Sequence, residues 1–128
     1  MDKGLGEIAL ILMSVRDQVK IFHWQTQSYS QHRASDKLVS KLTEQMDLFI
    51  ETVQGSRRVR LTIPSNNTIV IDNQTSSSIM EVLETYKDWL IRPDGMTSYF
   101  GESATDLLAI RDDMLQTVNQ IIYLFSLK

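Results

Sequence analysis

Apolar residues recur at intervals of three and four along four stretches of the chain, the spacing that lines one face of an α-helix. The first stretch covers residues 7–29 and passes through Ile8, Leu12, Val15, Val19, Phe22, Thr26 and Tyr29. Gly4 and Gly6, just before it, predict a frayed start. The second covers residues 31–54, with Val39, Leu42, Met46, Phe49, Ile50 and Val53 on its stripe. Gly55 stands where a C-terminal cap is expected. The third opens at Ser78-Ile79-Met80-Glu81, a capping-box pattern, continues through Val82, Leu83, Tyr86 and Leu90, and stops at Arg92-Pro93-Asp94-Gly95. The fourth opens near Ser103-Ala104-Thr105-Asp106 and continues through Leu107, Arg111, Met114, Val118, Ile121 and Phe125.

Residues 56–77 break the helical pattern. Val59, Leu61 and Ile63 alternate with Arg58, Arg60 and Thr62, and Pro64-Ser65-Asn66-Asn67 reads as a turn before Ile69-Val70-Ile71. The segment suits either a small hairpin or an extended crossover along a bundle. A helix of ~24 residues is ~36 Å long, and about twenty extended residues span that easily. Short links near Ser30 and over residues 93–102 suit antiparallel neighbours. Two helical hairpins joined by one long crossover is the connection pattern of ferritin-like bundles. The expectation is an all-α, ferritin-like four-helix bundle forming a single domain over residues 1–128.

Composition narrows the function classes. A chain of 128 residues allows one domain with a sizeable core. Thirteen basic against 16 acidic side chains argue against nucleic-acid binding by bulk charge. Cysteine is absent, which excludes disulfides, thiolate metal sites and cysteine nucleophiles. The longest apolar run, residues 8–13, is far short of the ~20 residues of a membrane span and leads into no cleavage site of a secretory signal. The chain therefore reads as intracellular, with the sequons at Asn66 and Asn73 unused.

The candidate chemistry lies on the first two helices. His23 falls in the first and His32 at the start of the second. On the second helix His32 and Asp36 are four apart, as are Asp47 and Glu51, and each pair shares a face. At ~100° per residue the four fall at about 0°, 40°, 60° and 100° from His32, a polar stripe flanking the apolar one. Imidazole with carboxylate suits iron or manganese. The two pairs, however, stand ~16 Å apart along the axis, too far for one metal site. Pairing the helix with an antiparallel copy, crossing near Lys41 and Leu42, brings His32 and Asp36 of one chain to Asp47 and Glu51 of the other. Two equal sites result, each gathering three carboxylates. Carboxylates ~5 Å apart repel by roughly 3 kcal/mol per pair at an effective dielectric near 20, which a cation offsets. Acidic pairs four apart are also common on solvated faces, as Glu84/Asp88 and Glu102/Asp106 illustrate here. Taken singly, His23 reads more plainly as an interfacial or capped histidine than as a ligand, and Trp24 as core or interface packing.

His23-Trp24, His32-x-x-x-Asp36 and, after ten residues, Asp47-x-x-x-Glu51 together resemble the ferroxidase segment of Dps-type miniferritins, a branch of the ferritin-like superfamily. Ser103-Ala104-Thr105-Asp106-Leu107-Leu108 adds a weaker likeness on the last helix. The resemblance implies a metal site with His23, His32 and Asp36 from one subunit and Asp47 and Glu51 from its two-fold mate, Glu51 touching both metals. It implies oxidation of Fe(II) by peroxide or oxygen, with manganese or zinc as substitutes for iron, and storage inside a homo-oligomeric shell. The Glu-x-x-His motif of intrasubunit di-iron bundles is missing, which disfavours a carboxylate-bridged oxygenase. Without the lysine-rich tail that many such relatives use on DNA, no nucleic-acid partner is expected, and no membrane partner either. A chain this small also resembles the ferritin-like proteins of some large DNA viruses. The alternative expectation is accordingly a non-enzymatic ferritin-like structural or interaction protein with a vestigial metal site.

Overall fold

The computed structural model describes residues 2–127, and over them the chain is all-helical. Helix α1 spans Lys3–Gln25, α2 Tyr29–Arg57, α3 Ser76–Ile91, α4 Thr97–Phe100 and α5 Thr105–Ser126. The apolar stripes do what their spacing predicts. Leu12 from α1, Leu42 and Phe49 from α2, Leu83 from α3 and Met114 from α5 are fully buried in one core. Each such side chain contributes roughly 1.5–3 kcal/mol relative to exposure. The first helix packs on α2 and α3, and α5 packs on the same two helices from the other side. No helix among the described residues is long and apolar enough to cross a membrane.

The helix ends differ from the expectations, each for a local reason. The glycines do not fray α1. Asp2 caps it, its carboxylate accepting from the Leu5 N–H at 2.9 Å. Gly6 is required there because a Cβ would stand 1.9 Å from the Thr62 carbonyl oxygen, which rests on the helix. The glycine at position 55 does not terminate α2, which runs on to Arg57 and ends at Arg58 in the left-handed region, φ 53°. The added turn is held by tertiary contacts: the Arg57 guanidinium lies 4.7 Å from the Tyr99 ring centre, and the Gln54 side chain accepts from the Leu61 N–H at 3.0 Å. The capping box of α3 sits one turn before the predicted one. Thr75 accepts from the Ser78 N–H at 3.1 Å, and the Ser78 hydroxyl accepts from the Thr75 N–H at 2.8 Å. The fourth predicted helix begins at Thr105 with Ala104 as an uncapping neighbour, and the link before it contains the short α4.

Residues 58–75 are an extended crossover, and the hairpin alternative is not what forms. Leu61 bridges to Asp2, not to the second extended run, with Asp2 donating to the Arg60 carbonyl at 2.9 Å and Thr62 donating to the Asp2 carbonyl at 3.1 Å. At the far end the Gln74 N–H donates to the Gln25 side chain at 2.7 Å, and Gln25 donates to Asn73 at 2.8 Å. The segment is a strap pinned at both ends of the helical body.

Candidate metal centre

The last turn of α1 meets the first turn of α2 across residues 26–28. Ser28 caps α2, accepting from the Gln31 N–H at 3.3 Å, and the Thr26 hydroxyl accepts from the Ser28 N–H at 3.1 Å. This tight link brings the two histidines together. Their rings stack with centres 3.8 Å apart and planes 18° from parallel. Nδ1 of His23 lies 2.8 Å from the His32 carbonyl oxygen, and Nδ1 of His32 lies 2.9 Å from the His23 carbonyl oxygen. A carbonyl only accepts, so each Nδ1 carries the hydrogen and donates it. In the neutral ring Nε2 is then left with its lone pair. Buried Ser35 completes the brace, donating its hydroxyl to the His32 carbonyl at 3.0 Å with its oxygen 3.1 Å from Nδ1 of His23.

The residues singled out by spacing are partly gathered. His23 is buried, His32 exposed, and Asp36 approaches His23 Nε2 to 4.0 Å, with its carboxylate side chain 63% exposed. That separation leaves the carboxylate outside direct hydrogen-bond reach. Asp47 and Glu51 are exposed on the same helix, three and four turns further on. Among the described residues no group of three or more His, Cys, Asp or Glu gathers around one point. Beside the histidines a depression of about 390 Å³ is lined by Tyr29, His32, Arg33, Asp36 and Lys37.

Imidazoles with Nδ1–H committed to a backbone carbonyl are in the form that metal-binding histidines take, the second-shell acceptor fixing tautomer and ring orientation. The donor set on the chain therefore fits a divalent ion, although one chain does not close a site. Charge along the exposed side of α2 is strongly divided. Arg33, Asp36, Lys37 and Lys41 occupy its first half, three basic and one acidic, whereas the second half carries Glu44, Asp47 and Glu51, with Arg57 in the last turn, over the Tyr99 ring, as its basic residue.

Ser35 and the reciprocal carbonyl bonds had no signature in the spacing, because they depend on the angle of the turn. Of the two readings of Trp24, core packing is not what forms: it is 66% exposed, with the Lys20 ammonium 5.5 Å from its ring centre. Tyr29 and Leu48 are likewise exposed on α2.

No curated protein and no solved structure matches the chain. Residues 23–125, from the buried histidine to the last turn of α5, match a family of unknown function, DUF5856, and the chain belongs to that family.

Proposed function

We propose that the protein is a Dps-like iron-binding ferroxidase of ferritin-like fold whose site forms between two copies of the chain. The observation that carries this reading is the pair of histidines with Nδ1–H committed to backbone carbonyls and Nε2 free for a metal. His23, His32 and Asp36 of one subunit face Asp47 and Glu51 of the partner subunit in an antiparallel pairing of α2. The divided charge of α2 supports that orientation, since antiparallel pairing sets the basic half of each helix against the acidic half of the other. Exposed Leu48 and Tyr29 gain cover in the same contact.

Iron is the substrate. Two Fe(II) ions each give one electron to one peroxide, which takes up two protons and leaves as two waters. The chain's own groups bind and orient: the imidazoles donate neutral lone pairs, and the carboxylates offset the positive charge that grows as iron is oxidised. Bound Fe(II) also relieves the repulsion among Asp36, Asp47 and Glu51.

The test is anaerobic Fe(II) titration followed by peroxide, with light scattering on the same sample. Saturation at about two irons per site and prompt oxidation, both lost in Asp47→Asn, are expected. Absence of binding above background would overturn the ferroxidase. The competing reading, a structural bundle in which the histidine brace only ties α1 to α2, rests on the burial of His23. It predicts normal assembly with no stoichiometric metal.

A further inference from the structure

The residues that flank the two histidines share one set of bonds. Gln31 immediately precedes His32, and its side-chain amide joins three other elements. Its Nε2 donates to the Phe125 carbonyl in the last turn of α5 at 3.3 Å. Its Oε1 accepts from the Thr26 hydroxyl in the α1–α2 link and from the Ser76 hydroxyl that opens α3, each at 3.3 Å. A backbone carbonyl has no hydrogen to give, so the amide nitrogen must face Phe125 and the amide oxygen the two hydroxyls. The group therefore has one orientation.

Gln25, two residues after His23, holds the far end of the strap, accepting from the Gln74 N–H at 2.7 Å and donating to Asn73 at 2.8 Å. Gln74 is buried, and its own side chain donates to Gln18 at 3.4 Å and accepts from the Ser78 hydroxyl at 2.7 Å. Four glutamines thus tie the strap and the four long helices together at the histidine end of the bundle. Ser28 and Ser35 act within the α1–α2 hairpin, whereas Gln25 and Gln31 refer that hairpin to the rest of the body. The match matters because the two imidazoles donate across the hairpin at 2.8 and 2.9 Å. A shift of about 1 Å between the two turns carries both bonds past hydrogen-bond reach.

We infer that Gln31 and Gln25 are positioning residues of the histidine pair, and that through them the far end of the strap controls the geometry of the site. The inference rests on the metal-binding reading above and adds to it a control from outside the donor set. Release of Asn73, Gln74 and Ser76 from the two glutamines frees the first turn of α2, and the imidazoles lose their fixed tautomer. A ring that carries its hydrogen on Nε2 has no lone pair there for a metal.

The experiment reads the tautomers directly. The chain has two histidines, so a nitrogen NMR spectrum of histidine-labelled, metal-free protein reports this pair alone. Nδ1-protonated rings are expected in the unaltered chain. Gln31→Met and Gln25→Met keep the length of the side chain and remove its amide. Both are expected to give mixed tautomers and to weaken anaerobic Fe(II) binding about tenfold, the lower end of what outer-shell partners contribute. Gln25 is exposed, so its variant tests the assignment even where Gln31→Met perturbs the fold. Gln54→Met is the control. Gln54 holds the near end of the strap through the Leu61 N–H at 3.0 Å, roughly 33 Å along α2 from His32. Its loss is expected to lower the urea midpoint and leave ring signals and Fe(II) affinity unchanged. Fixed tautomers in both glutamine variants, equal disturbance in Gln54→Met, or mixed tautomers with unchanged Fe(II) affinity would overturn the inference. Tautomer changes as expected in a chain that binds no Fe(II) would overturn the ferroxidase reading and leave the positioning of the imidazoles standing.

Discussion

His23 and His32 each donate a ring N–H to the other's backbone carbonyl, at 2.8 and 2.9 Å, across nine residues of sequence. The bonds are reciprocal, so neither ring can rotate without releasing the other's carbonyl. Ser35 adds a hydroxyl to the same carbonyl of His32. Two helices are thereby joined at their ends, and both imidazoles are held in one tautomer.

A site shared between copies makes a sharp mixing experiment. His32→Ala and Asp47→Asn are each expected to abolish iron oxidation while leaving helix content unchanged. Unfolding the two inactive variants together and refolding them is expected to restore about one quarter of the activity, because half of the random dimers carry one intact site of two. Persistent inactivity of the mixture in assembled protein would place all five residues in one chain's function, or in none.

Self-association is expected to follow the charge division of α2. Lys37→Glu with Lys41→Glu sets acid against acid and weakens the pairing, and Glu44→Lys in the same chain partly restores it. Sedimentation at low and high salt measures this, and the differences shrink as salt screens exposed charges. Unchanged association in the double variant would locate the contact elsewhere.

Two glycines of neighbouring helices give opposite results. Gly6→Ala places a methyl 1.9 Å from the Thr62 carbonyl and must push the strap away, with an expected loss of about 2 kcal/mol or more. Gly55→Ala meets nothing within 4 Å in a helical position and is expected to stabilise by about 0.5–1 kcal/mol. Urea melts of the pair report both.

Tyr99 donates to the Asp2 carboxylate across 97 residues of chain, closing the N-terminus against the link before α5. Burial raises the Asp2 pKa, but the Tyr99 hydroxyl, the Leu5 N–H and the Arg57 charge outweigh it and hold the carboxyl below its ordinary value of 3.8. A depressed carboxyl contributes stability above its unfolded value, and that stability is lost as pH falls through the lower folded value. Burial first, then the bond to Asp2 and its charge, push the Tyr99 hydroxyl up to about 12. Its contribution is complete below 10 and lost as pH rises to about 12. Tyr99→Phe is expected to cost about 1 kcal/mol at neutral pH and less as acid protonates Asp2. The alkaline loss is expected to diminish but not vanish, since burial also raises the Tyr86 hydroxyl.

The long helices were legible because their stripes serve burial, the strongest local signal a chain carries. Phe49 and Met114 could be assigned to the core from spacing alone. The ends were less legible. Thr75 and Ser78 lie one turn apart and both suit a cap, and the tertiary bonds of Gln54 and Arg57 carry α2 past a glycine that by itself reads as a stop. The polar stripe of His32, Asp36, Asp47 and Glu51 was legible as an exposed face, whereas the stacking of His23 on His32 was not, because it is set by the geometry of residues 26–28. Tyr86 read as core, and only the folded chain shows its hydroxyl buried without a partner.

The histidine brace spans a sequence separation of nine, so closing it requires only a short loop, an event of about 10–100 ns once the flanking turns are helical. It belongs to the α1–α2 hairpin alone. During synthesis this hairpin is complete before α3 and α5 have been made, and the imidazoles are set in place while half of the core is still missing. Asp2 must wait, since its partner Tyr99 is translated almost a hundred residues later. The order of assembly is thus written into the map of contacts, with the metal-type donors among the first side chains to take their final positions and the N-terminal clasp among the last.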